Sequence, residues 1–235
     1  MQCSGTPYYI LASGEFSKFY DNKEIISDVS YSDMLKARDE WVKDNPDKDE
    51  TTSPYYGIPN IYKFGLKLTD SCIKILKEND WESKMSILFA LKNKGKNANP
   101  YESEFIHEDA ITDLMISLYG NKTNNQIGFI NTDKIRDGEI FKHTMILLPK
   151  INACFALEKL LNEKIIDKSK REVIRLVMPK STGYKGDIKD SDTVNAKLNA
   201  LEKAGKQSII LTVDRMLTGV TLPLVDSMIF MKDTR

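Results

Sequence analysis

The chain has little of what supports the simplest kinds of chemistry. It holds three cysteines, two histidines and two tryptophans in 235 residues. Cys3, Cys72 and Cys154 are far apart, odd in number and form no C-x-x-C pair. Neither a disulfide framework nor a zinc site is expected, and a reducing compartment fits best. His107 and His143 stand in no spacing with carboxylates that a zinc site would need. An excess of one charge is missing too: 34 Lys plus Arg balance 34 Asp plus Glu. That excludes a strongly basic coat for nucleic acid but leaves local basic patches open. No apolar run is long enough to span a bilayer, the densest pieces being residues 145–148, 209–213 and 228–231. Residues 1–16 lack the basic start and apolar stretch of a signal peptide. A cytoplasmic location with no membrane partner is the expectation.

The common catalytic signatures are also missing. Gly95-Lys96 continues with Asn97 and Gly205-Lys206 with Gln207, so no hydroxyl follows to hold Mg²⁺ as in a phosphate-binding loop. There is no G-x-S-x-G, H-E-x-x-H or G-x-G-x-x-G. His143 precedes an apolar strand and reads as a strand-edge histidine rather than an acid–base catalyst. Cys154 falls on the apolar face of a helix and reads as a buried thiol rather than a nucleophile. Glu102, Glu104, Glu108 and Asp109 lie near helix starts, where carboxylates suit the helix dipole.

What is present is a globular composition: 41% hydrophobic and 29% charged residues, with 12 Gly and 8 Pro. The clearest part is the last third. Residues 143–148 form a short apolar run ended by Pro149, and 151–164 carry apolar residues at 153, 154, 157, 160 and 161. A β-branched stretch, 171–178, stops at Pro179; a polar loop, 180–190, follows. Asp192 is a candidate cap for a helix bearing Val194, Leu198 and Leu201 and ended by Gly205. Residues 208–213 and 225–231 are two more strands. The order strand, helix, strand, helix, strand, strand predicts an α/β fold with a parallel sheet and covering helices. Upstream, 32–43 reads as a helix, 60–68 as a strand, and 70–79, 83–91 and 108–118 as helices, with an exposed basic linker at 92–100.

Two polar stretches stand out. Ser4-Gly5-Thr6-Pro7 is a tight turn whose hydroxyls can bond across a cleft. The second runs Asp214-Arg215-Met216-Leu217-Thr218-Gly219-Val220-Thr221, directly after a strand. In a parallel sheet the loop after a strand's carboxyl end is where ligands bind. This one offers a carboxylate, a guanidinium, hydroxyls and a Gly amide that can approach a phosphate closely.

Taken in order, these stretches resemble superfamily-two helicases and translocases. Ser4-Gly5-Thr6-Pro7 is similar to their motif III. His143-Thr144-Met145-Ile146-Leu147-Leu148-Pro149, with the helix after it, is similar to motif IV. Leu211-Thr212-Val213-Asp214 through Thr221 is similar to motif V. The Thr-Gly-Val-Thr variant followed by Leu222-Pro223 is closest to the restriction-enzyme-like and phage-type branch. So is the Tyr31-Ser32-Asp33 helix ending in Trp41, with Pro54-Tyr55-Tyr56-Gly57-Ile58-Pro59 after it. Many relatives have Arg where Thr218 stands and Asp or Asn where Thr221 stands.

The resemblance implies a piece of a two-lobed motor. Residues 1–7 would be the tail of the first RecA-like lobe, 8–140 a connecting segment with a mostly helical insertion, and 141–235 the second RecA-like lobe, cut before motif VI. Ser4, Gly5, Thr6 and Pro7 would couple nucleotide state to nucleic-acid binding. Asp214, Arg215 and Thr221 would face the nucleotide cleft; Pro149, Lys150, Thr218 and Gly219 would contact nucleic acid without reading its sequence. ATP and Mg²⁺ belong to the longer protein, and the missing first lobe would be a partner. The phosphate-binding loop, the D-E-x-x motif and motif VI are outside these residues, so no ATP hydrolysis and no bound cofactor are expected of this chain alone. Two other readings stay open: a non-catalytic α/β nucleic-acid-binding or adaptor module derived from such a lobe, and an unrelated small α/β enzyme using Cys154 or His143.

Overall fold

The computed structural model describes residues 30–58, 61–62, 85–92, 99–120, 126–127, 130–177, 191–213 and 222–232. The chain divides into two compact units, residues 1–67 and 68–235.

In the first unit a helix, α1 (Tyr31–Asp44), begins where Ser30 and Asp33 cap each other reciprocally. The Ser30 hydroxyl accepts from Asp33 N at 3.2 Å, and the Asp33 carboxylate accepts from Ser30 N at 3.0 Å. Two orphan amides of the first turn are satisfied this way. Arg38 donates to the Ile58 carbonyl at 2.9 Å, which ties the Pro54–Ile58 stretch back to the helix.

The second unit is α/β. Its described elements are α2 (Met85–Leu88), α3 (Glu108–Tyr119), β1 (Gln126–Ile127), β2 (Ile130–Asn131), α4 (Thr132–Asp137), β3 (His143–Leu147), α5 (Ile151–Leu160), β4 (Arg171–Arg175), α6 (Ser191–Lys203), β5 (Gln207–Thr212) and β6 (Ser227–Phe230). The last four strands form one parallel sheet in the order β4–β5–β3–β6. The central strands read as unbroken apolar runs because both faces are covered.

Alternation along the strands sorts their side chains into two layers. Ile146, Val173, Ile209 and Leu211 pack with Cys154, Phe155 and Leu157 of α5 and with Ile111 and Met115 of α3. On the other face Met145, Leu147, Ile174 and Ile210 pack with Val194, Leu198 and Leu201 of α6. Burying one such Leu or Ile contributes about 1.5–3 kcal/mol, so the helices on the two faces hold the sheet between them.

Several sequence expectations differ in detail. Within the described residues the helix expected over 83–91 is Met85–Leu88, and it ends there because Leu91 pairs with Phe105 in an antiparallel bridge. Phe89 and Phe105 meet edge-on, centroids 5.7 Å apart, and both are fully buried; this tertiary pairing overrides local helix propensity. The helix over 151–164 stops at Leu160 and continues as a π-helical turn, Leu161–Ile165. Asp192 lies in the first turn of α6 rather than capping it. The short hairpin β1–β2 and α4 were not foreseen. The strand expected over 60–68, the helix over 70–79 and the loop over 180–190 lie outside the described residues, apart from Ile61 and Tyr62.

Candidate nucleic-acid interface at the carboxyl edge of the sheet

Strand register brings four carboxyl ends to one edge. Leu147 pairs with Thr212 of β5 and with Phe230 of β6, and Arg175 of β4 pairs with Leu211. The ladder runs slightly past each strand: Leu148 N donates to Thr212 O at 2.8 Å, Leu176 N to Leu211 O at 2.9 Å and Met231 N to Leu147 O at 2.8 Å. Pro149 then ends β3, since it has no amide to extend the ladder.

Lys150 takes up the N-cap position of α5 in extended conformation (φ −145°, ψ 150°) and makes no side-chain cap bond. No acidic residue occupies the first turn of α5. The helix therefore begins without a side-chain cap or a first-turn carboxylate, beside an exposed lysine at the carboxyl edge of the sheet, a combination suited to an anion. This is where the structure places Pro149 and Lys150. Ser4, Gly5, Thr6, Pro7, Asp214, Arg215, Thr218, Gly219 and Thr221 lie outside the described residues. The residues flanking the last five are described. Val213 packs into the layer under α5, and Leu222 packs into the layer under α6.

The opposite edge is polar and closed. His143, 1% exposed, has Nδ1 2.9 Å from Ser208 Oγ and Nε2 3.1 Å from Glu202 Oε2. Asp226 accepts from the amides of Lys142 and His143 at 2.7 and 3.3 Å. Hydroxyl, imidazole and carboxylate thus stand in the order of a nucleophilic triad. Ser208 is fully buried, so no substrate reaches its oxygen, and the cluster ties β3, β5 and the end of α6 together. Spacing in the sequence could not reveal it, because the partners are 59 and 65 residues apart.

Near it, Arg171 donates to the Ile135 carbonyl at 2.7 Å and lies 4.7 Å from the centroid of the Tyr119 ring. A cation at the C-terminal end of α4 adds a second, charged donor to a carbonyl that also accepts from Gly138 N at 3.3 Å, and it suits the helix dipole. Burial pushes the Tyr119 hydroxyl up to about 12.

Cys154 is fully buried on α5, and burial pushes its thiol up to about 12, which suppresses the thiolate a nucleophile needs. Among the described residues no group of three His, Cys, Asp or Glu side chains could hold a metal ion, and no helix is long and apolar enough to cross a membrane.

Comparison with known proteins adds one relationship. Over 248 aligned positions the chain is 27% identical to a Mycoplasma pneumoniae protein provisionally named as a type II restriction enzyme and methyltransferase C-terminus, RM.MpnORF110P. The alignment takes in 99% of this chain and 32% of that protein, so the chain spans about a third of its relative's length. No known protein-family pattern matches the chain, and no solved structure does. The chain is thus an α/β protein similar to one named for restriction and modification.

Proposed function

We propose that this chain contributes the second RecA-like lobe of an ATP-driven nucleic-acid helicase or translocase of the restriction-enzyme-like branch. The observation that carries the reading is the order β4–β5–β3–β6. It sets the ends of β3 and β5, from which the motif IV-like and motif V-like stretches issue, side by side at one edge. Similarity to a protein named for restriction and modification supports a role on nucleic acid.

In this reading Pro149, Lys150, Thr218 and Gly219 meet the phosphate backbone through amide, ammonium and hydroxyl groups. Such contacts position a strand without reading its sequence. Asp214, Arg215 and Thr221 face the nucleotide, and Ser4 to Pro7 couple the two. ATP, bound with Mg²⁺ by the longer protein, supplies the energy for movement. This chain's own residues hold and orient the strand; they do not include the loop or the arginine that would act on the γ-phosphate.

The test is fluorescence anisotropy with a labelled single strand over a salt series, beside an ATPase assay. The expected result is sequence-independent binding that weakens steeply with salt, and no hydrolysis by this chain. A salt-independent signal would remove the phosphate-contact reading; turnover abolished by an Asp214 substitution would show that the chain holds its own engine. The alternative is a non-catalytic nucleic-acid-binding or adaptor module derived from such a lobe. It predicts the same binding, with no ATPase in the longer protein either.

A further inference from the structure

The parallel sheet ends on β6, and among the described residues no strand pairs with its outer side. Met228 and Phe230 are 42% and 54% exposed, while Ile229 between them packs into the layer under α5. By register Met228 and Phe230 continue the row of Met145 and Leu147 on the α6 face. The strand reads Ser-Met-Ile-Phe, with no charge along it. An edge that is apolar on its open face and lacks a charge to block it is a template for another strand.

The ladder decides which backbone groups this edge offers. Met231 N donates to the Leu147 carbonyl at 2.8 Å, so residue 231 turns its amide inward, toward β3. Successive residues of a strand turn their amides and carbonyls to opposite sides. Ile229 therefore also points inward, and Met228 and Phe230 point outward.

An antiparallel partner of the same sequence must then oppose even-numbered residues to even-numbered ones, and the possible registers differ in what they bring together. Met228 facing its own copy would set Phe230 against Asp226. Phe230 facing its own copy would set Met228 against Lys232. The middle register has its two-fold axis through Ile229 and opposes Met228 to Phe230 on both sides of it. Each such pair exchanges both its backbone hydrogen bonds. At the ends this register sets Asp226 across from Lys232, unlike charges rather than like ones. Asp226 keeps its bonds to the amides of Lys142 and His143 throughout. Of these registers only the middle one matches apolar to apolar and opposite charge to opposite charge.

We propose that β6 pairs with β6 of a second copy of this chain, antiparallel about a two-fold axis through Ile229, joining two parallel sheets into one. The strand is four residues long, so the contact is small and the dimer forms according to concentration. Its axis turns the two carboxyl edges to opposite ends of the joined sheet. The dimer does not depend on the nucleic-acid reading.

Sedimentation equilibrium over a concentration series measures the mass of the chain and of its Met228→Lys and Phe230→Glu variants, each alone and the two mixed. Wild type should pass from one chain to two and no further, because an isologous contact closes on itself. Each variant alone should self-associate about tenfold or more weakly, since both cross-strand pairs of the dimer are damaged. The equimolar mixture should recover a dimer, because one pair becomes a Lys–Glu pair and the other stays Met opposite Phe. A wild type that remains a single chain at every concentration would overturn the proposal, as would variants that dimerise like wild type. Weakened variants with no recovery on mixing would overturn it too, because the axis would not then pass through Ile229. Circular dichroism melts of each variant check that the fold persists.

Discussion

Glu202 meets two side chains of the amino edge at once: Oε2 lies 3.1 Å from His143 Nε2, and Oε1 accepts from Lys142 Nζ at 2.7 Å. The hydrogen bonds from Lys142, and then from His143, keep the Glu202 carboxyl below its ordinary value. A carboxyl depressed by folding adds stability above its unfolded value, 4.5. That stability is lost as pH falls through the lower folded value. The glutamine variant E202Q should therefore melt at a lower temperature than wild type at pH 7, and the two melting curves should converge as pH falls from 5 to 3. Calorimetric melts across that range check it; parallel profiles would mean the pairing contributes nothing.

Two glycines in left-handed backbone separate strain from crowding. Gly205, φ +67°, follows α6 and has open space where a Cβ would stand. Gly138, φ +76°, follows α4, and a Cβ there would collide with Gln207 Nε2. The Gln207 amide is itself committed to the Arg136 carbonyl at 3.4 Å. Gly205→Ala should cost about 1 kcal/mol, the backbone term alone. Gly138→Ala should cost more, about 2–3 kcal/mol, because a buried side chain must move as well. Urea titrations of both variants decide the order; a reversal would refute the crowding at Gly138.

The parallel sheet was legible because its chemistry is local. Ile209, Ile210 and Leu211 are apolar in succession and all fully buried, and only a strand covered on both faces needs that. Of the candidate site, only the places of Pro149 and Lys150 in the fold were legible, because they follow from a strand's end. Pro149 stops β3, so Lys150 must open the next helix, and the structure places both there. The motif III-like and motif V-like residues lie outside the described residues, so their assignment rests on resemblance alone. What could not be read is contact between remote residues. Arg175 meets Tyr101 and Phe155 through a crossover that no periodicity encodes. The Leu91–Phe105 bridge likewise turned an expected helix into a pairing. In each case long-range burial outweighed a local preference worth tenths of a kcal/mol.

Cys154 should be chemically silent in the folded chain. Its thiol is fully buried, its pKa is pushed up to about 12, and its Sγ leans on the Lys150 carbonyl at 3.8 Å. Iodoacetamide at pH 8 should leave it unmodified under native conditions and alkylate it in denaturant, as peptide mass spectrometry would locate. Replacement by Ala should leave nucleic-acid binding unchanged. Rapid native labelling, or lost binding in the alanine variant, would revive the reading of a thiol-based enzyme.

Lys150 offers the sharpest test of the carboxyl edge. It is exposed and stands at the N-cap of α5 through its backbone, without a side-chain cap bond, so truncating the side chain removes charge and leaves the helix start in place. A lysine paired with one phosphate releases about 0.9 counterion from a duplex and about 0.7 from a single strand. Lys150→Ala should thus weaken binding to every sequence alike and reduce the slope of log K against log salt by about that amount. Stability should stay within the small range of surface substitutions, about 0.5 kcal/mol. A weakening that varied with sequence would make Lys150 a base contact. An unchanged slope would move the strand away from the start of α5.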